Sequence, residues 1–325
     1  MNRKTGRKMT ERPIKTTGAD RVTLRQSDDH DVLIDIWRVE NPDLQIHLLH
    51  GLGEHTARYE RFAALCNAAN IQIAAHSHRG HGLHLAVDDL GHYADKNGWN
   101  KVIADVVAVQ DQLVADTPGV PLALIGHSMG SYVAQSFLAR GHGHAQAVAL
   151  SASTLPSRFE VRIGHWLAAF ECLRGGAQGK SAILSKMGFG ALNKPFEPGR
   201  TAFDWLSRDD AEVDKYVADP YCGAESSNRL WYDMTGGLLE FSTKNALKKI
   251  PADLPILITG GEEDSVGGLK GMSRLAAAYR DTGHKNVTLK VYPGGRHEMF
   301  NETNSDEFTS DLLTWIRNAT LTQSE

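Results

Sequence analysis

The chain predicts an α/β fold: a mainly parallel sheet with helices on both faces and one helical insertion. Three observations predict it. Short apolar runs of strand length recur along the chain, they alternate with segments of helical period, and that rhythm breaks between about residues 154 and 251.

Residues 32–39 (VLIDIWRV) alternate apolar and polar side chains, as a half-buried strand does. Asn41-Pro42-Asp43 then turns the chain into a second strand at 44–49, which runs into His50-Gly51-Leu52-Gly53. A helix-like stretch at 58–70 precedes another apolar run at 71–75. From Trp99 onwards, Val102, Ile103, Val106, Gln110, Leu113 and Val114 recur at helical spacing, leaving Lys101, Asp105 and Asp111 for solvent. Residues 122–125 and 147–150 have the length and content of buried strands, with a helical stretch at 131–140 between them. The alternation resumes late, with a strand at 255–259, a helix at 269–279 and a strand at 287–292. Phe308, Leu312, Trp315 and Ile316 place one apolar stripe on a closing helix, and Asn304 and Glu307 stand at cap-like spacing before it.

The insertion reads differently. Ile163, Trp166, Leu167 and Phe170 form a helical stripe, a glycine-rich stretch follows at 175–179, and Phe196, Phe203, Trp205, Tyr216, Tyr221, Trp231 and Tyr232 come after it. The expected organisation is therefore a basic tail at 1–20, a core from 21–153 and 252–325, and a cap from 154–251.

Bulk composition narrows the function classes. In 325 residues, 41% hydrophobic and 23% charged side chains are those of an ordinary globular protein, and a net charge of −4 gives no overall attraction to nucleic acid. Arg3, Lys4, Arg7, Lys8, Arg12 and Lys15 stand against Glu11 alone. That cluster reads as a solvated tail or as a weak anchor to anionic lipid. No secretory apolar run opens the chain, and no stretch approaches the roughly 20 apolar residues of a membrane span. Cys66, Cys172 and Cys222 are few and scattered. The expected location is the cytoplasm, with at most a peripheral lipid contact.

The chemistry concentrates in a few motifs. Gly126-His127-Ser128-Met129-Gly130 is a G-x-S-x-G pentapeptide set between a strand and a helix. There a serine is held out on a sharp turn that small neighbours allow to close. Serine is a weak nucleophile at neutral pH and needs a base. Among fifteen histidines, His297 is best placed, following the last strand and Pro293-Gly294-Gly295. The acid that orients it should precede it in the chain. Asp264 follows the strand at 255–259, and Glu262 and Glu263 beside it are rivals. An oxyanion needs two donors. The backbone N–H of Met129 and that of Leu52, in the glycine-rich His50–His55 loop, are the candidates. No metal or organic cofactor is required by this set.

At these residues the sequence resembles the monoacylglycerol lipase and lysophospholipase branch of the α/β-hydrolases. His50-Gly51-Leu52-Gly53-Glu54-His55 is similar to that branch's HGxGEH loop, Arg79-Gly80-His81-Gly82 to its RGHG loop, GHSMG to its elbow, and Arg296-His297-Glu298 to its histidine motif. The likeness runs from about residue 30 to 318 and takes in Asp219-Pro220. It implies an α/β-hydrolase fold with a cap over an acyl-binding cleft, and a carboxylic-ester hydrolase acting on a small acyl ester or lipid. Two positions depart from the pattern: Ser77 stands where the family commonly has Asp, and Ser265 where it has Pro. In the cap, Trp166, Phe170 and Phe203 are the candidate acyl-chain contacts.

Two other readings compete. His76-Ser77-His78-Arg79-Gly80-His81 resembles the HxHxDH zinc motif of metallo-β-lactamase-fold hydrolases, with Gly80 where that motif needs Asp. A non-catalytic ligand-binding member of the fold is the other, because fold alone never establishes chemistry.

Overall fold

The structure, a computed structural model, describes residues 18–321. The basic cluster at residues 3–15 lies outside the described residues.

Eight strands form one sheet: β1 (Asp20–Arg25), β2 (Asp31–Trp37), β3 (Leu44–Leu49), β4 (Ile71–His76), β5 (Leu122–His127), β6 (Ala147–Ser151), β7 (Ile256–Gly261) and β8 (Val287–Tyr292). Their order is β1-β2-β4-β3-β5-β6-β7-β8. The two N-terminal pairings, β1 with β2 and β2 with β4, are antiparallel, and every later pairing is parallel. The helices of the core are α1 (Glu60–Ala68), α2 (Gly98–Asp116), α3 (Met129–Ala139), α9 (Gly268–Asp281) and α10 (Ser305–Leu321). Between β6 and β7 lie α4 (Arg158–Gly175), α5 (Ala182–Phe189), α6 (Asp210–Ala218), α7 (Asn228–Phe241) and α8 (Lys244–Leu247), and that segment adds no strand to the sheet.

Strand periodicity divides the core into two layers. Leu124, Val148, Leu150, Ile256 and Ile258 point to the side of α2, α3 and α9. Their chain neighbours Ala123, Ile125, Ala149 and Leu257 point to the side of α1 and α10. Both faces are covered, which is why β5, β6 and β7 open as apolar runs and not as alternating ones.

Three local expectations change. Asp105 of α2, expected in solvent, is buried and accepts from Arg79 Nε at 2.7 Å. The stretch read as a helix from 58 opens as a 3-10 turn at Thr56–Tyr59 before α1 begins. The α4 stripe is helical but faces the other way. The helix packs on α7 through small Gly164 and Ala168 and through Glu171, while Ile163, Trp166 and Phe170 point outward. Small residues let two helices approach closely, so they took the inner face.

Candidate active site

The parallel strands end together, and the loops at their carboxyl ends meet at one edge of the sheet. Ser128 stands between β5 and α3 with φ 50° and ψ −120°, a region that L-residues rarely occupy. Strain of this kind is worth about 1–3 kcal/mol and persists only where the surroundings enforce it. Here two glycines enforce it. A Cβ on Gly126 would lie 2.5 Å from the Gly130 carbonyl oxygen, and one on Gly130 would lie 2.1 Å from that of Leu49. The turn is braced by Ser128 N–H donating to Ser151 O (3.0 Å) and by the Ser131 hydroxyl donating to Ser128 O (2.6 Å).

His297, on the loop after β8, and Asp264, on the loop after β7, meet through Nδ1 and Oδ1 at 2.8 Å, both buried. Asp264 Oδ1 also accepts the Val266 N–H at 2.8 Å. Glu262 and Glu263 are exposed, which separates them from their buried neighbour. Burial alone would raise the Asp264 carboxyl, but the His297 charge, its hydrogen bond and the Val266 N–H outweigh that and lower it. For His297 the balance runs the other way: burial favours the neutral ring, and Asp264, helped by Glu298 and Glu54, raises its pKa above 6.5. Its ring lies 5.0 Å from that of His127, the residue before Ser128, and 4.8 Å from that of Trp205 in the insertion. Among the described residues the Ser128 hydroxyl has no hydrogen-bond partner, and the residue is partly exposed.

The glycine-rich loop after β3 lies against the elbow: a Cβ on Gly51 would sit 3.3 Å from Ser128 Cβ and from His127 Cδ2. His78 N–H donates to His50 Nε2 at 3.1 Å, so the proton of the neutral ring is on Nδ1, which donates to Gly51 O at 2.8 Å. Leu52 follows Gly51 on this loop. Met129, first residue of α3, has an amide without an intrahelical partner. The insertion grips the same loop, since Gly53 O accepts Tyr216 Oη–H (3.0 Å) and Gly223 N–H (2.9 Å), and His55 Nε2 pairs with Asp219 Oδ2 at 3.0 Å.

The candidate acyl contacts separate. Phe203 is half-buried against Tyr216, with ring centroids 5.2 Å apart. Trp166 and Phe170 are on the outer face of α4, 72% and 57% exposed, and so form no part of a cap interior. Nor do the zinc-motif histidines converge. His76 shares a hydrogen bond with His47 at 2.9 Å, and among the described residues only His55, Asp219 and Cys222 bring three ligand atoms within 4.8 Å. His76, His78 and His81 instead pack with His47 and His50 as buried rings behind the loop. Sequence reading missed the ion pair of Arg58 with Glu298; the only signal for it was Glu54 and Arg58 at i,i+4.

A family model described as serine aminopeptidase, S33, matches residues 40–304. The chain belongs to that family. Within it, this α/β-hydrolase falls on the monoacylglycerol lipase-like branch and is a serine hydrolase of the esterase and lipase class. It is 26% identical to a monoglyceride lipase homolog of Monkeypox virus, over 87% of this chain and 92% of the relative. It is 27% identical to a monoacylglycerol lipase of Mycolicibacterium smegmatis, over 88% and 92%. Its fold matches that of a carboxyl esterase from Bacillus coagulans with a TM-score of 0.84, at 24% identity, covering 93% of this chain and 98% of that one.

The buried imidazoles make stability pH-dependent. Burial lowers His47 and His127 to about 3, and His81 and His84 to about 4, from an ordinary 6.5. A depressed folded-state pKa gives stability that is complete above 6.5 and is lost as pH falls toward the folded values. Each ring withdraws up to about 1.4 kcal/mol per pH unit in that window. Urea midpoints should fall steadily between pH 6.5 and 4.5. A midpoint independent of pH across that range would contradict the assignment of these rings as neutral and buried.

Proposed function

We propose that this enzyme hydrolyses monoacyl esters, monoacylglycerol and lysophospholipid among them, through an acyl-enzyme on Ser128. The observation that carries the reading is a serine in left-handed conformation at the carboxyl end of β5, beside the hydrogen-bonded His297–Asp264 pair at the same edge of the sheet. Asp264 keeps the proton on His297 Nδ1, which leaves Nε2 a lone pair. Ser128 Oγ attacks the ester carbonyl carbon as its proton passes to Nε2. The oxyanion is held by the N–H groups of Leu52 and Met129. Collapse expels the alcohol, which takes the proton from His297. Water then attacks the acyl-enzyme as its proton passes to the same nitrogen, and collapse breaks the bond to Ser128 Oγ, which takes that proton back as the carboxylic acid leaves.

The glycerol ester is favoured because relatives over most of this chain's length are named as monoglyceride lipases. Residues 154–251 act as a lid in this reading, since Trp205 lies on His297 and Tyr216 on the oxyanion loop. Phe203, beside Tyr216, contacts the acyl chain.

The lid also offers a lipid-facing surface. Phe159, Ile163, Trp166, Phe170 and Leu173 recur at spacings of three and four along α4, all exposed, up to 88% at Leu173. Met187 of neighbouring α5 touches α4 at Gly164, and Ile183 is exposed beside it. Residues 157–194 carry six basic side chains (Arg158, Arg162, Arg174, Lys180, Lys186, Lys194) against Glu160 and Glu171, in a chain of net charge −4. An apolar ridge with a basic rim fits an anionic lipid surface. It is a second candidate for the peripheral lipid contact, beside the basic cluster at residues 3–15, which lies outside the described residues.

Three measurements test this. Ser128→Ala should abolish p-nitrophenyl ester turnover and fluorophosphonate labelling without lowering the melting temperature; wild-type turnover in that variant would refute the assignment. The acid limb of kcat/KM should have its midpoint above pH 6.5, because His297 must be neutral to act as base and its pKa is raised; a limb below 6.5 would mean that another group titrates. Phe159→Ser/Leu173→Ser should cut sedimentation with phosphatidylcholine vesicles containing phosphatidylglycerol and spare activity on soluble esters. Unchanged vesicle binding, or loss of a dimer by light scattering instead, would transfer the ridge to another role.

A further inference from the structure

Glu54 and Arg58 are spaced i,i+4, and Glu298 follows His297 some 240 residues later. The fold buries all three, leaving their side chains 4%, 9% and 6% exposed. Arg58 meets Glu298 as a fork, Nη1 to Oε1 at 2.5 Å and Nη2 to Oε2 at 2.7 Å, and Nη1 also reaches Glu54 Oε2 at 3.2 Å. A fork of this kind fixes orientation as well as distance.

What each carboxylate holds gives the cluster its meaning. Glu54 Oε1 accepts the Gly51 N–H at 2.5 Å and Tyr59 Oη–H at 2.8 Å, so it sets the backbone immediately before Leu52. Glu298 is covalently next to His297. It donates its own N–H to Leu206 O at 2.8 Å and accepts from Asn301 Nδ2 at 3.1 Å. The guanidinium lies 4.9 Å from the centre of the Tyr216 ring, whose hydroxyl holds Gly53 O. One buried cation thus touches the loop of the oxyanion donor, the loop of the base and α6 of the lid.

We infer that Arg58 is a positioning residue for ester hydrolysis, fixing through Glu54 and Glu298 the distance between the Leu52 N–H and His297. The inference rests on the serine-esterase reading above. It goes further by making the transition-state geometry depend on a residue that touches neither substrate nor the reacting atoms. Displacement of a catalytic group by about 1 Å costs up to 10²-fold in rate, and the loss falls on kcat because only the transition state needs both groups in register.

The test uses the full-length enzyme and a soluble p-nitrophenyl ester. Arg58→Lys keeps the buried charge and removes the fork, so it separates positioning from charge balance. It should lower kcat about 10–100-fold with KM within about twofold of wild type, and slow fluorophosphonate labelling in parallel. Arg58→Met/Glu298→Gln removes both charges of the fork, so Glu298 is not left as a buried charge without its cation if Arg58→Lys folds poorly, and Glu54 keeps the Gly51 N–H and Tyr59 Oη–H as donors. Its kcat loss should equal that of Arg58→Met or Glu298→Gln alone, not their product. Folded Arg58→Lys or double variant with wild-type kcat, a loss confined to KM, or a kcat loss that disappears on cooling below the melting transition would each overturn the inference. Ser128→Ala keeps the two claims apart. If it retains turnover the serine reading fails first, whereas an inert Ser128→Ala beside a fully active Arg58→Lys removes only the role of Arg58.

Discussion

The site depends on one close approach. Helix α3 lies so near β3 that no side chain fits between Gly130 and the Leu49 carbonyl, and none fits between Gly126 and the start of the same helix. That approach holds Ser128 at positive φ, an arrangement the chain would not adopt in isolation. The strain is offset by packing over the whole length of α3, whose residues are nearly all buried, and by the hydroxyl and amide bonds of Ser131, Gln135 and Ser153 beneath the turn. A local backbone that is unfavourable alone becomes the single solution once the helix and the sheet are packed.

Parallel topology supplies the rest of the geometry. Because β3, β5, β7 and β8 share one direction, their following loops all emerge at one edge, and residues hundreds of positions apart become neighbours. The charged groups there are kept out of water. Asp264 and Glu298 flank His297 by hydrogen bond and by sequence, and both favour its protonated form, while burial keeps the histidines behind the His50–His55 loop neutral. Low exposure strengthens each of these interactions, and it makes an unpaired charge expensive, which is why Arg58 is shared between two carboxylates. The insertion packs on this region through Trp205, Tyr216 and Asp219, which meet His297, Gly53 and His55 on the loops after β8 and β3.

Much of this was legible in the sequence, and for identifiable reasons. Central strand 122–125 declared itself because both faces are buried and every position is apolar, and 44–49 because its apolar positions outnumber Gln45 and His47. The serine turn was legible because its steric demands act on adjacent residues. Edge strand β1, with only Val22 and Leu24 as apolar members, gave no such signal. The α4 stripe was read as an inward face because apolar periodicity states that a face exists without stating what it meets. Glycine and alanine at 164 and 168 made the other face the tighter fit on α7. The choice among Glu262, Glu263 and Asp264 was likewise open, since three acids in a row carry no periodicity; one turn of backbone buries the third and leaves two in solvent.

The sequence by itself determined the strand–helix rhythm, the insertion between two strands, and the loops that carry Ser128, Asp264 and His297, because each is written in residues near one another in the chain. The tertiary structure alone decided which acid meets His297, which face of α4 is dry, and that Arg58 pairs with a glutamate at the far end of the chain. Those outcomes turn on distances between remote segments. Such distances are settled by packing and by the exclusion of water around charge, and neither leaves a trace in local order.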